Sequence, residues 1–168
     1  MKAKPVLWLY LLVPFWCQAQ DTLPPVFELR DVSSKAISDP YWQMLENKNG
    51  KIGFPEIMRT AGFHPSTVKK EGMGFNGVKD YWVRWRMKNL TGKDQELVFA
   101  SNRGNFKRDY YIIRDSGAVA HLQSGWAVPL SQRDTFRTRN GILVAIPSNK
   151  EITIYARVRL SATDFFNE

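Results

Sequence analysis

Residues 80–88 read Asp80-Tyr81-Trp82-Val83-Arg84-Trp85-Arg86-Met87-Lys88. Tyr81, Val83, Trp85 and Met87 alternate with Trp82, Arg84, Arg86 and Lys88. A repeat of two is the mark of a strand that gives one face to a core and turns the other away. The same alternation returns near the end of the chain. There Ile152, Ile154, Ala156, Val158 and Leu160 point one way, and Thr153, Tyr155, Arg157 and Arg159 the other. Between these two strands, 89–93 reads as a hairpin-type connection, 96–101 as a strand and 109–114 as another. Asp115-Ser116-Gly117 is a tight turn that sends 118–123 back as a fourth strand. The apolar run 142–146 predicts a strand buried on both faces, and 147–150 a further turn. Upstream, 26–30 reads as a short strand and Ser38-Asp39-Pro40 as a turn. Residues 41–63 read as irregular, with one or two helical turns at 54–59, where Pro55 lies near an N-terminus and its missing N–H costs little. Glycines at 62, 72, 74 and 77 mark a loop. Strands separated by turn signals, with almost no helical period, predict an all-β sandwich or barrel behind an irregular N-terminal region.

The first twenty residues have another character. Lys2 and Lys4 precede an apolar run, 5–17, which ends in Gln18-Ala19-Gln20. A positive start, an apolar middle and small residues before a cleavage point are the order of a secretory signal peptide. The run is too short for a bilayer, which needs about 20 apolar residues. Phe15-Trp16 is too bulky for acylation of Cys17 as a lipoprotein. The chain then divides into a signal peptide at 1–20, a linker at 21–25 with Pro24-Pro25, and one domain at 26–168. Cleavage removes two lysines and lowers the formal net charge from +8 to +6. It also removes the only cysteine, which excludes disulfides, thiol catalysis and thiol redox chemistry from the mature protein.

Little in the remaining sequence points to catalysis. The two histidines, His64 and His121, read as a loop residue and a strand-surface residue, with no metal-ligand spacing around them. Gly72-Met73-Gly74-Phe75-Asn76-Gly77 spells GxGxxG, but no strand precedes it and no helix follows, so it fails the context of a dinucleotide site. Asn89-Leu90-Thr91 fits the N-glycosylation pattern. Asp94 and Glu96 read as solvated acids beside a turn. No serine-hydrolase elbow, zinc-protease or P-loop motif is present. The expectation is a protein that is not an enzyme and needs no cofactor or metal. The positive charge is spread along the chain without a nucleic-acid-binding pattern, and export removes that class of partner.

Two groups of residues suit ligand binding. Trp82, Arg84 and Arg86 recur two apart on one strand face, where an indole can stack on a ring and guanidinium groups can pair with an anion. The alternative is an ordinary outer sheet face with cationic stems lying over the tryptophan. Trp126, Arg133 and Arg139 fall in a long connection between strands, where binding residues are often carried. Trp82 and Arg84 are expected to be replaceable by alanine with loss of ligand and retention of the fold.

Several fragments also resemble a known family. They are Phe27-Glu28-Leu29, the Asp39-Pro40 turn, Tyr81-Trp82-Val83-Arg84 with Asn89 at the strand end, and Gly125 followed by Pro129-Leu130-Ser131-Gln132-Arg133. Arg139-Asn140 before an apolar strand ending in Pro147, and the closing 152–158, complete the set. In this order they resemble the extracellular domain type 2 of bacterial seven-transmembrane receptors with diverse intracellular signalling modules, over most of 26–160. The resemblance implies a jelly-roll-like antiparallel β-sandwich, similar to carbohydrate-binding modules, on the outer side of the bacterial membrane. It implies a sensor of a small molecule or carbohydrate, joined to a seven-helix membrane region and a signalling output domain. Trp82, Arg84, Gly125 and Arg133 match family-typical positions. Trp126 departs from the polar residue more usual after Gly125. No membrane helix follows in the sequence, so the chain is expected to be either a fragment of such a receptor or a stand-alone carbohydrate-binding or adhesion module.

Export is directly checkable. Mass spectrometry of the protein from the periplasm should give a mature N-terminus near Asp21; a full-length product confined to the cytoplasm would refute the signal peptide.

Overall fold

A computed structural model of the chain describes residues 22–32, 40–65, 79–100, 107–133 and 141–160. In chain order the strands are β1 (Val26–Leu29), β2 (Trp42–Glu46), β3 (His64–Pro65), β4 (Lys79–Asn89), β5 (Gln95–Ala100), β6 (Lys107–Arg114), β7 (Val119–Ser124), β8 (Gly141–Ile146) and β9 (Glu151–Leu160). Two short 3-10 turns lie at Glu56–Arg59 and Leu130–Gln132. The two strands with the strongest alternation, β4 and β9, pair antiparallel over their length, from Lys79 opposite Leu160 to Lys88 opposite Glu151. β6 continues the sheet beyond β9, and β7 folds back on β6 through the Asp115–Gly117 turn. On the other edge of β4 the partnership is shared. β2 runs antiparallel beside Tyr81–Trp85, and β1 runs parallel beside Arg86–Asn89. With β3 on β2 this makes a seven-stranded sheet, and β5 with β8 makes a two-stranded one.

The two sheets close on the apolar faces that the alternation marks. Trp85 and Met87 of β4, Tyr110 and Ile112 of β6, and Ile152, Ile154 and Ala156 of β9 meet Ile142, Val144 and Ile146 of β8. Leu97 and Phe99 of β5 pack against this core. Burying a large aliphatic side chain in this way contributes about 1.5–3 kcal/mol. The all-β sandwich expected from the sequence is the architecture observed, with β1 as a parallel exception in an otherwise antiparallel arrangement.

Asn89 ties the layers together at one end. Its side-chain nitrogen donates to the carbonyls of Lys93 (2.7 Å) and Ile146 (2.8 Å), and its Oδ1 accepts from the Thr91 N–H and hydroxyl. Both of its side-chain hydrogens are used and the residue is fully buried. The glycosylation pattern at 89–91 is therefore a structural corner, not an accessible acceptor.

Three expectations need correction. The stretch 41–63 is not wholly irregular, because β2 pairs there with β4 along five residues. β8 is not buried on both faces. It belongs to the small sheet, so Ile142, Val144 and Ile146 face the core while Ala145 is exposed. The third concerns the far face of β4, expected to be open. Residues 47–63 lie over it as a cap, in which Ile57 and Phe63 join Trp82 and Tyr155 in a second apolar cluster. Asn47 shapes the start of the cap, donating through Nδ2 to the Ile52 carbonyl and accepting the Ile52 N–H on Oδ1. Trp82 Nε1 donates to the same carbonyl at 3.0 Å.

This second cluster should carry stability of its own. Ile57→Ala, at a fully buried position, should cost about 2–5 kcal/mol in urea unfolding. Val98→Ala on the outer face of β5, where Val98 is 44% exposed, should change stability by about 0.5 kcal/mol or less. Equal effects at the two positions would show that the cap does not pack as a core.

Candidate functional site

The strand row Trp82, Arg84, Arg86 is divided by the cap. Trp82 is 0% exposed and Arg84 1%. Arg84 is contacted from three parts of the chain. Its Nε and Nη2 donate to Gln43 Oε1 at 2.8 and 2.6 Å, and Nη2 also donates to the Thr22 carbonyl at 3.0 Å. The guanidinium carbon lies 4.0 Å from the centre of the Phe63 ring, a cation–π contact. Gln43 Nε2 donates to the same Thr22 carbonyl, and Pro24 is buried beside it. Residues 22–25, expected as a linker, thus supply contacts to the body of the sheet. Arg86 lies beyond the cap and forms a partly exposed ion pair with Glu151, Nη2 to Oε1 at 2.6 Å. The expectation that Trp82 and Arg84 present an open platform is corrected by their burial. A flat, half-apolar row attracted an apolar cover supplied by the chain itself.

Further along the same face, polar and aromatic groups gather on β6 and β7. Asp109 Oδ1 accepts from Gln123 Nε2 at 2.6 Å and from His121 Nε2 at 3.1 Å. A carboxylate accepts only, so His121 Nε2 is the donor in this contact. The His121 ring stacks on Tyr111 with centroids 4.5 Å apart and planes at 7°. Phe54 of the cap stacks on Tyr111 at 4.1 Å and 7°. Two near-parallel rings this close fit only on opposite faces of a third, so Tyr111 is held between the cap and His121. Burial pushes the Tyr111 phenol above the ordinary tyrosine range, Asp109 adds to this, and Arg157 opposes it. The phenol therefore stays neutral as a donor.

Arg157 closes the end of this face. It donates twice to the Asp80 carboxylate from Nε, at 3.1 and 3.0 Å, and from Nη2 at 2.5 Å, and reaches the Gly50 carbonyl at 2.8 Å. The Asp80 hydrogen bonds push the Arg157 pKa still higher, against the opposing effect of burial. Gly50 adopts φ +61, the left-handed region that favours glycine, which allows the turn at this contact.

Beside β7 the chain leaves the sheet at Gly125, whose φ of 119 requires glycine, and returns as the 3-10 turn at Leu130–Gln132. An open cavity of about 370 Å³ lies between them, lined by His121, Leu122, Gln123, Ser131, Gln132 and Arg133. Arg133 also closes the loop, with Nε donating to the Val128 carbonyl at 2.8 Å and Nη2 to that of Trp126 at 3.5 Å. Trp126 is 56% exposed on the same loop. Of the six residues singled out in the sequence, the structure brings Trp126 and Arg133 together here and leaves Trp82, Arg84 and Arg86 on β4. Arg139 lies outside the described residues. His121, Gln123 and Asp109 were missed as a group. The signal was present, because the Asp115–Gly117 turn fixes the hairpin register that sets His121 opposite Tyr111 and Gln123 opposite Asp109. Among the described residues no three His, Cys, Asp or Glu side chains gather as metal ligands.

The buried guanidinium gives a direct test. Arg84→Ala should destabilise the protein by about 3 kcal/mol or more, since it removes both Arg84 donors from Gln43 Oε1 and opens a void against Phe63. Arg84→Lys should recover little, because an ammonium cannot fork across these acceptors. Urea unfolding measures both, and unchanged stability in Arg84→Ala would remove the clamp.

The model of the family described as 7TMR-DISM extracellular 2 matches residues 39–164, which takes in β2 through β9. No curated protein matches the chain closely enough to count as a relative. Among the described residues no helix is long and apolar enough to cross a membrane. With the sandwich and its covered β4 face in place, the match over most of the chain establishes that it belongs to the 7TMR-DISM extracellular 2 family, sensor domains on the outer side of seven-transmembrane receptors.

Proposed function

We propose that the chain is the exported ligand-sensing domain of a bacterial membrane signalling receptor, and that it binds a small polar ligand, such as a carbohydrate, without transforming it. The observation that carries this reading is the cavity between β7 and the Leu130–Gln132 turn. Its volume of about 370 Å³ lies within the usual range for small-molecule sites. Its lining supplies planar donors and acceptors from Gln123, Gln132, His121 and Arg133, with the Ser131 hydroxyl beside them. Such groups suit the paired donor and acceptor demands of sugar hydroxyls. Asp109 holds Gln123 and His121 in place before any ligand arrives, which lowers the ordering cost of binding. Trp82 and Arg84 then serve the site indirectly, by fixing the cap. A signal requires that the ligand prefer one of two states, and the Phe54–Tyr111–His121 stack joins the cap to a residue that lines the cavity.

The test uses a panel of monosaccharides, oligosaccharides and uronic acids in thermal unfolding. A ligand at about ten times its Kd contributes about 1.4 kcal/mol and raises Tm by roughly 3–6 °C. Ser131→Trp, which fills the cavity mouth from an exposed position, should abolish the shift, and Arg86→Ala should leave it intact. The reverse pattern would move the site to the β4 face. No shift with any of the compounds would overturn the reading of the cavity as a sugar site.

A further inference from the structure

The loop 125–133 exposes apolar side chains that the ligand cavity does not use. Leu130 is 79% exposed and Trp126 56%. The segment reads Gly-Trp-Ala-Val-Pro-Leu-Ser-Gln-Arg and contains no acidic residue. It leaves the sheet after Ser124, which pairs with Arg108 of β6, and in the next row outward Lys107 pairs with Arg159 of β9. The acid of that row is Asp80, opposite Arg159, and it is held by Arg157 through both carboxylate oxygens. The Arg159 side chain, with Nε 3.6 Å from Asp80, is still 52% exposed. This end of the sandwich therefore combines a protruding indole and leucine with a surplus of positive charge.

We propose that this end docks on an anionic lipid surface, with Trp126 and Leu130 entering the headgroup layer and Lys107 and Arg159 facing lipid phosphates. Tryptophan favours the membrane–water interface, where its ring is half apolar and its N–H finds a partner. Each Lys or Arg near an anionic leaflet adds about a factor of five in affinity. Two apolar side chains on one short loop are too few for a specific protein interface, which buries about 1,600 Å². They suit shallow insertion, which needs only a few anchors beside a cationic surface. The family places the domain outside a membrane, so the partner surface is close at hand. The proposal is independent of what occupies the cavity.

The exported protein with its native N-terminus is floated with vesicles of phosphatidylethanolamine and phosphatidylglycerol, and separately with phosphatidylcholine alone. Binding should favour the phosphatidylglycerol vesicles and weaken with added salt. Trp126→Ala with Leu130→Ser should lower it about tenfold or more, as should Lys107→Glu with Arg159→Glu, and circular dichroism checks that each variant keeps the native fold. Equal binding by wild type and the Trp126 and Leu130 variant, or no binding to either vesicle, overturns the proposal. A concentration-dependent dimer that the same variant abolishes in sedimentation would assign the loop to a second copy of the chain and overturn it equally.

Discussion

A guanidinium group cannot be buried without acceptors, and Arg84 is 1% exposed at the centre of the large sheet. Its requirement organises everything on that side of the molecule. Gln43 brings β2 against β4, the Thr22 carbonyl anchors the segment before β1, and Phe63 covers the planar face of the guanidinium. Once these are in place, Trp82 and Tyr155 are enclosed as well, and the cap from 47 to 63 has an apolar floor on which to settle. β4 is consequently covered on both faces, by the small sheet on one side and by its own upstream chain on the other.

That cover is also what delimits the candidate site. The cap ends over Tyr111, where Phe54 stacks, and among the described residues the remaining stretch of the face toward β7 stays open. There the aromatic floor gives way to polar groups organised by Asp109. The ring of His121 belongs to both regions, stacked on Tyr111 and lining the cavity. A ligand touching His121 would be two rings from the cap. In a sensor, this is the kind of adjacency through which occupancy of a site can bias the packing of a neighbouring element.

How far the sequence could be read follows from how local each feature is. β4 and β9 were legible because alternation is a property of consecutive residues, and each keeps it for most of its length. The hairpin of β6 and β7 was legible from the Asp115–Gly117 turn, and with it the pairing that creates the Asp109, His121 and Gln123 group. β8 was misread because Leu143 and Ala145 are apolar too. An apolar run does not reveal that one of its faces looks outward from a two-stranded sheet. The Trp82 and Arg84 row was legible as a face but not as a covered one. Gln43 lies 41 residues from Arg84 and Thr22 lies 62 away, and no local pattern announces contacts at such separations.

The sequence by itself determined most of the strands, the β class, the leader-like start and, through the order of its motifs, the resemblance to a receptor sensor family. These rest on period, turn chemistry and motif spacing, which are fixed along the chain. Only the tertiary structure decided which aromatic and cationic residues are available to a ligand. It buried Trp82 and Arg84 beneath a cap, paired Arg86 with Glu151, and left Trp126 and Arg133 at the surface beside an open cavity. The physical reason is that tryptophan and arginine serve equally well in a binding platform and in a core whose polar atoms are satisfied. Which role each takes depends on whether the chain returns to cover it.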